Sequence, residues 1–131
     1  MQLHRLCVIG AAAIMLTIGV AAADPLPTRL GQCSSTTIKD MTTRLQDGVT
    51  KEPILGSGSA VDFANGGYQV SYDTIAAITQ SRAGDPVTMC LVSIPQNCPA
   101  GDARGRTYKT TNLRTHGVWT LPDAEHRCGG A

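Results

Sequence analysis

The stretch SAVDFANGGYQVSY, residues 59–72, decides the fold predicted for this chain. Asn65-Gly66 is the pair favoured by a two-residue type I′ turn, because both central positions of that turn need a positive φ. With this turn, the cross-strand pairs are Phe63 with Tyr68, Val61 with Val70, and Ser59 with Tyr72. The apolar members share one face, so turn chemistry and side-chain alternation together predict a β-hairpin.

Three further strands are predicted after the hairpin. Residues 87–94 are almost continuously apolar, which indicates a strand buried on both faces, and residues 106–113 and 118–121 complete the set. Before the hairpin, Ser34 and Ser35 offer helix caps, and apolar residues at helical spacing predict a short helix that ends at Gly48; these residues are Ile38, Met41 and Leu45. The predicted fold class is mainly β: a small antiparallel β-barrel or sandwich with one short N-terminal helix, stapled by disulfides.

The chain opens with the pattern of an export signal. Arg5 precedes an apolar run over residues 6–20, and Ala21-Ala22-Ala23 then forms the small-residue pattern of a cleavage site. The apolar run is shorter than the roughly 20 residues that span a bilayer. We therefore predict a signal peptide over residues 1–23, a single mature domain over 24–131 without a membrane span, and a periplasmic or secreted location.

Charge and aromatic content limit the function classes. The 11 Lys and Arg include Arg5, so a mature chain without Arg5 balances ten basic against ten acidic residues. This neutrality argues against a nucleic-acid partner. One Trp, one Phe and three Tyr give a core with few large side chains, so disulfides are expected to matter for stability.

Four cysteines remain after the predicted signal peptide: Cys33, Cys90, Cys98 and Cys128. An even set in a small exported domain predicts two disulfides, with three possible pairings. We favour Cys90 with Cys98, because Pro95, Asn97 and Pro99 turn the chain back after a strand. Cys33 would then pair with Cys128 and tie the ends of the domain together.

One segment is a candidate ligand site. Five residues between the acids Asp102 and Asp123 could bind an anion or stack on a sugar ring: Arg104, Arg106, Tyr108, Arg114 and His116. An anionic envelope glycan is the partner that this chemistry suggests, with a protein partner as the other possibility. The alternative is a solvated outer strand face that carries no site.

The sequence offers little for catalysis. Only His116 and His126 follow the predicted signal peptide, and the run from Gly56 to Ala60 lacks the final Gly of a nucleophile elbow. An envelope hydrolase using His126 and Asp123 is kept as an alternative function. We predict no metal and no cofactor, and the principal prediction is an exported binding or interaction protein of the cell envelope rather than an enzyme.

Two resemblances extend this interpretation. Short phrases spread over most of the mature segment resemble small exported bacterial proteins of unknown function; they are QVSY (69–72), SRAGD (81–85), CLVSIP (90–95), GDARG (101–105), TNLRT (111–115) and WTLPD (119–123). That resemblance implies no activity. Separately, SGSAV at residues 57–61 is similar to the SGxxY stretch of periplasmic C-type lysozyme inhibitors, with Val61 in place of the Tyr. It implies inhibition of a lysozyme-like hydrolase as an alternative function, provided that residues 57–61 form an exposed loop.

Overall fold

The structure is a computed structural model that describes residues 14–16, 19 and 22–130. Most of the predicted signal peptide, 17 of its 23 residues, lies outside these residues. The described elements are β1 (Cys33–Thr43), β2 (Ser59–Phe63), β3 (Tyr68–Ser71), α1 (Ala76–Thr79), β4 (Pro86–Ser93), β5 (Thr107–Asn112) and β6 (Val118–Pro122). The mainly β prediction is therefore confirmed.

All six strands form one antiparallel sheet with the order β3-β2-β1-β4-β5-β6. The sheet curls into a half-barrel, so that its two edge strands, β3 and β6, approach each other. Strand β1 lies at the centre of the curl, because its first half pairs with β4 and its second half with β2. A register irregularity between Ile38 and Asp40 marks the change of partner.

The predicted N-terminal helix is wrong, since its residues form most of β1 and the single described helix is the four-residue α1. Burial in β1 alternates with period two: Ser34, Thr36 and Ile38 face inward, and the residues between them are more exposed. The β-branched Thr and Ile side chains of this segment suit a pleated surface. Pairing on both sides of β1 outweighs the helical spacing of the few apolar residues.

The hairpin is confirmed, but its register differs by one residue from the prediction. The Gly66 N–H donates to the Phe63 carbonyl and the Phe63 N–H to the Gly67 carbonyl, which gives a three-residue loop. Only Gly66, with φ 83°, adopts the left-handed conformation there, whereas a type I′ turn would need it at Asn65 as well. Val61 consequently pairs with Gln69 instead of Val70.

The strands predicted near residues 87–94, 106–113 and 118–121 are confirmed as β4, β5 and β6. Strand β4 is not buried on both faces: Val87, Met89 and Leu91 face the core, while Thr88 and Cys90 are partly exposed. Inward residues of β1, β2, β4, β5 and β6 form a single core that includes Phe63 and Trp119.

A buried glutamine closes the gap between the two edges of the sheet. Gln69 on β3 is fully buried, and its Oε1 accepts hydrogen bonds from Thr110 Oγ1 (2.6 Å) and Trp119 Nε1 (2.9 Å). Its Nε2 donates to the carbonyls of Tyr108 (2.7 Å) and Leu121 (3.0 Å). Every polar position of the amide is satisfied, so the side chain joins β3 to β5 and β6 where no backbone ladder does.

The two predicted disulfides are present, but the favoured pairing is wrong. Cys33 bonds to Cys90 and Cys98 bonds to Cys128. The antiparallel register of β1 and β4 places Cys33 directly opposite Cys90, which decides the first bond. The second joins the loop after β4 to the segment after β6.

Among the described residues, no helix has the length and apolar character needed to cross a membrane.

Candidate functional site

The structure places the five predicted ligand residues at separate locations. Arg104 and Arg106 precede β5, while Arg114 and His116 lie in the turn after it. Between them, Tyr108 is 3% exposed and belongs to the core, so its ring is not available to stack on a sugar. These residues do not share one concave surface.

Arg104 and Arg114 are each held by an acidic partner. Nε and Nη2 of Arg104 each donate to an Asp102 carboxylate oxygen at 2.9 Å. The Arg114 guanidinium binds Asp85 through two donors in the same bidentate manner. A carboxylate thus occupies two donors and balances the charge of each guanidinium, so a ligand anion would have to compete with it.

Asp85 is the centre of a buried polar cluster. It is 2% exposed and also accepts hydrogen bonds from Asn112 Nδ2 (2.8 Å) and the Arg82 N–H (3.0 Å). Hydrogen bonds from Arg114 hold the pKa of Asp85 well below its usual range, against the opposing effect of burial. The pKa of Asp102 is also lowered, mainly by the hydrogen bonds from Arg104 and to a smaller extent by the hydrogen bond from the Gly129 N–H. The cluster holds the loop before β4 against the turn after β5.

These depressed pKa values predict a loss of stability in acid. A carboxylate whose folded-state pKa lies below its unfolded value of about 3.9 stabilises the fold fully above that pH. Its contribution is lost as the pH falls below about 4 toward the folded-state pKa. We expect the melting temperature to drop steeply there, and Asp85→Asn to lower it at pH 7 and flatten the acid limb. Thermal unfolding between pH 7 and pH 2 measures this.

The exposed Asp73 offers the matched control, because its carboxylate has no described hydrogen-bond partner. Asp73→Asn should keep the pH profile of the unaltered protein. A profile of Asp85→Asn that is as steep as that of Asp73→Asn would contradict the assignment.

The predicted acid–base pair is not assembled in the described residues. Asp123 Oδ1 accepts the Gly105 N–H at 2.8 Å, and the exposed His126 ring makes no described hydrogen bond to it. His116, with φ 62°, lies in the turn before β6, whereas His126 follows that strand, so the two imidazoles lie toward opposite ends of β6. Within the described part of the chain, no three His, Cys, Asp or Glu side chains are placed to hold a metal ion.

The stretch that resembles lysozyme inhibitors is mostly buried. Ser59, Ala60 and Val61 lie in β2 with exposures of 4%, 3% and 0%. Gly58 approaches β3 so closely that an added Cβ would lie 2.0 Å from the Ser71 carbonyl oxygen. This glycine therefore serves close backbone packing, and the exposed loop on which the inhibitor alternative depends is not formed.

A different surface, which the sequence analysis did not identify, is the best candidate. Residues 44–57 form a projecting hairpin, here called the arm, closed by a bridge between Gln46 and Pro53. Four large apolar side chains on it are exposed: Leu45 (40%), Val49 (91%), Ile54 (44%) and Leu55 (87%). Four exposed apolar side chains within one 14-residue segment are a concentration that is more typical of an interaction site than of an ordinary surface loop. The signal in the sequence is the presence of these residues in a segment otherwise rich in turn formers.

A groove of about 410 Å³ lies between the arm and α1. Its walls come from the end of β1, the second half of the arm, the start of β2 and the region of α1; the lining residues are Met41, Thr42, Thr43, Pro53, Leu55, Gly56, Gly58, Ser59, Thr74, Ile78 and Thr79. None of them is charged. An apolar groove with a few hydroxyl groups suits an uncharged, largely apolar group.

The arm is fixed at its base by Arg44. The Arg44 Nε donates to the Ser57 carbonyl at 2.7 Å, and the guanidinium lies 4.3 Å from the centroid of the Tyr72 ring. It also forms an ion pair of 3.4 Å with Glu125 beyond β6. At the tip, Asp47 Oδ1 accepts the N–H groups of Val49 and Thr50. The apolar side chains of the arm are thus presented on an ordered backbone.

No protein-family model, curated protein or solved structure matches this chain.

Proposed function

We propose that this chain is an exported binding protein of the cell envelope, and that it receives an apolar, uncharged group of its partner in the groove between the arm and α1. The observation that carries the proposal is an uncharged, largely apolar groove whose wall includes a leucine that the free domain leaves in water. This leucine, Leu55, is 87% exposed and belongs to both the groove and the arm. Leaving such a side chain in water stabilises nothing in the free domain, and covering it on binding releases that surface from water.

The well-defined conformation of the arm supports the same proposal. Binding a flexible loop costs the entropy of ordering it, whereas a loop already held by its own hydrogen bonds avoids much of that cost. The hydrogen bonds to Asp47 at the tip and the contacts of Arg44 at the base provide this order. The two disulfides fit an oxidising compartment, in keeping with export.

The other predicted functions have weaker support. An anionic glycan would have to compete with the carboxylates that pair with Arg104 and Arg114, and it could not stack on Tyr108, which is buried. A hydrolase would require His126 to move against Asp123. Inhibition of a lysozyme-like hydrolase would need a contact surface other than residues 57–61, most of which are buried in β2.

An uncharged fluorescent naphthylamine, N-phenyl-1-naphthylamine, tests the proposal because its emission rises in apolar surroundings. We expect the folded protein to bind it, and Leu55→Ser to weaken binding by about 10- to 150-fold, since burying a leucine contributes roughly 1.5–3 kcal/mol. Fluorescence titration measures the Kd. Leu55 is almost fully exposed, so its replacement should leave the melting temperature unchanged.

Leu30→Ser is the matched control. Leu30 is also exposed, at 63%, but it precedes β1, whereas the groove lies at the other end of that strand. Its replacement should leave the Kd for the dye unchanged. Absence of dye binding, or equal weakening by both variants, would refute the groove as the binding site.

A further inference from the structure

The first residues of the predicted mature domain are joined to β1 by hydrogen bonds. The Asp24 N–H donates to the Ser35 carbonyl at 2.8 Å, and the Ser35 N–H donates to the Asp24 carboxylate at 2.9 Å. Next to this pair, the Ser34 hydroxyl donates to the Pro25 carbonyl. This half of β1 pairs with β4 on its other side, while β2 pairs only from Ile38 onward. The segment therefore occupies an edge of β1 that β2 leaves free.

The next two residues enter the core. Leu26 packs against the buried cluster, and Pro27 is almost completely buried. Gly67 makes room for this packing, since a Cβ there would lie 2.9 Å from the Leu26 Cδ2. Residues 24–27 are thus hydrogen-bonded to β1 and packed as part of the domain.

The chain just before Asp24 differs sharply. Ala22 and Ala23 are exposed and have no regular secondary structure. In the part of the chain that the structure describes, neither residue forms a hydrogen bond. Hydrogen bonding to β1 therefore begins at Asp24, whose own N–H donates to Ser35, although Ala22 and Ala23 still lie beside residues 35–37.

We propose that the cut predicted from the sequence between Ala23 and Asp24 is made before residues 24–27 dock on β1, and that the new α-ammonium group of Asp24 becomes a structural group of the sheet. Hydrolysis by an export-associated peptidase adds water across the amide. The oxygen goes to the Ala23 carbonyl carbon, the C–N bond breaks, and Asp24 leaves as a protonated amine. This amine keeps the hydrogen bond to the Ser35 carbonyl and gains a positive charge beside its own carboxylate.

The order of events follows from the same contacts. A peptidase binds extended backbone around the bond that it cuts, and proteolysis concentrates where the backbone is free. Once Asp24 and Pro25 are docked, their polar groups are occupied by Ser34 and Ser35. Cutting after docking would therefore require this segment to open.

The site is tested by expressing the full chain with export and measuring the intact mass of the exported protein. We expect the N-terminus to be Asp24. Ala23→Lys should block the cut or move it, because the residue before the bond must be small, while Ala22→Lys, at the tolerant middle position of the A-x-A pattern, should still yield Asp24. A different N-terminus, or an unchanged cut in Ala23→Lys, would overturn the site.

The structural role of the α-ammonium group has a separate readout. In purified protein beginning at Asp24, the α-amine should react several-fold more slowly with an acylating reagent in the folded than in the urea-unfolded state, as measured by mass spectrometry of the N-terminal peptide. A protein beginning at Ala22, whose amine lies ahead of the anchored segment, should react at nearly the same rate in both states. Equal folded and unfolded rates for the Asp24 amine would overturn this role. Neither measurement depends on the groove.

Discussion

Replacing Gln69 by Leu is expected to destabilise the domain by about 2–5 kcal/mol, although the two side chains are similar in size. Gln69 is fully buried, and its Oε1 is the acceptor for both Trp119 Nε1 and the Thr110 hydroxyl. A leucine leaves the indole N–H without a described partner in the core, and a buried unsatisfied donor costs about 1–3 kcal/mol. It also removes the amide that joins β3 to β5 and β6. Urea unfolding followed by Trp119 fluorescence measures the loss.

Gln80→Leu is the matched control for this substitution. Gln80 is exposed, and only its backbone carbonyl, which accepts from Arg114, takes part in a described hydrogen bond outside α1. Its replacement should change the free energy of unfolding by less than about 0.5 kcal/mol. If Gln69→Leu were as mild as Gln80→Leu, the amide would not be what closes the half-barrel.

The sequence predicts those parts of the fold whose signals are local. The hairpin at residues 59–72 and the strands β4, β5 and β6 follow from turn residues and apolar runs within short windows. Strand β1 was missed because its local signals, a serine cap and helical spacing of Ile38 and Met41, favour a helix. Its strand conformation depends on pairing with β2 and β4, which only the folded chain supplies.

Register explains the remaining errors in the fold. The three-residue loop at Ala64–Gly66 shifts the hairpin by one position, which brings the polar Gln69 opposite Val61 in the core. A one-residue difference of this kind exchanges the faces of a strand, and no apolar pattern predicts that a glutamine will lie inside. The same dependence on register hides the partner of Cys33, which lies opposite Cys90 only once β1 pairs with β4.

The candidate site was less predictable than the fold. Arg114 lies 29 positions from Asp85, so the ion pair that occupies it is invisible in a scan for basic residues. Arg104 has Asp102 two positions away, which is a signal that sequence reasoning could have used. The exposure of Val49 and Leu55 depends on how the arm projects from the sheet. From residue type alone, valine and leucine are predicted to be buried in the core.

Replacing Cys33 and Cys90 together by Ser is expected to lower the melting temperature more than replacing Cys98 and Cys128. Cross-linking residues 57 positions apart removes about 4.2 kcal/mol of chain entropy from the unfolded state, against about 3.7 kcal/mol for 30 positions. The positions of the two disulfides in the fold increase this difference in stabilisation. The Cys33–Cys90 bond joins β1 and β4, which lie at the middle of the sheet, so its loss weakens the whole fold.

The other bond joins chain segments outside the strands, and hydrogen bonds hold those segments as well. The Cys128 N–H donates to the Arg104 carbonyl, and the Gly129 N–H donates to the Asp102 carboxylate. Without the Cys98–Cys128 bond, we expect faster amide exchange over residues 95–106 and 123–130 while the strands stay protected. Calorimetry and hydrogen exchange on the two double variants measure the order. Equal melting temperatures, or exchange that spreads evenly through β1 and β4 when Cys98 and Cys128 are replaced, would show that the second bond stabilises the sheet as a whole.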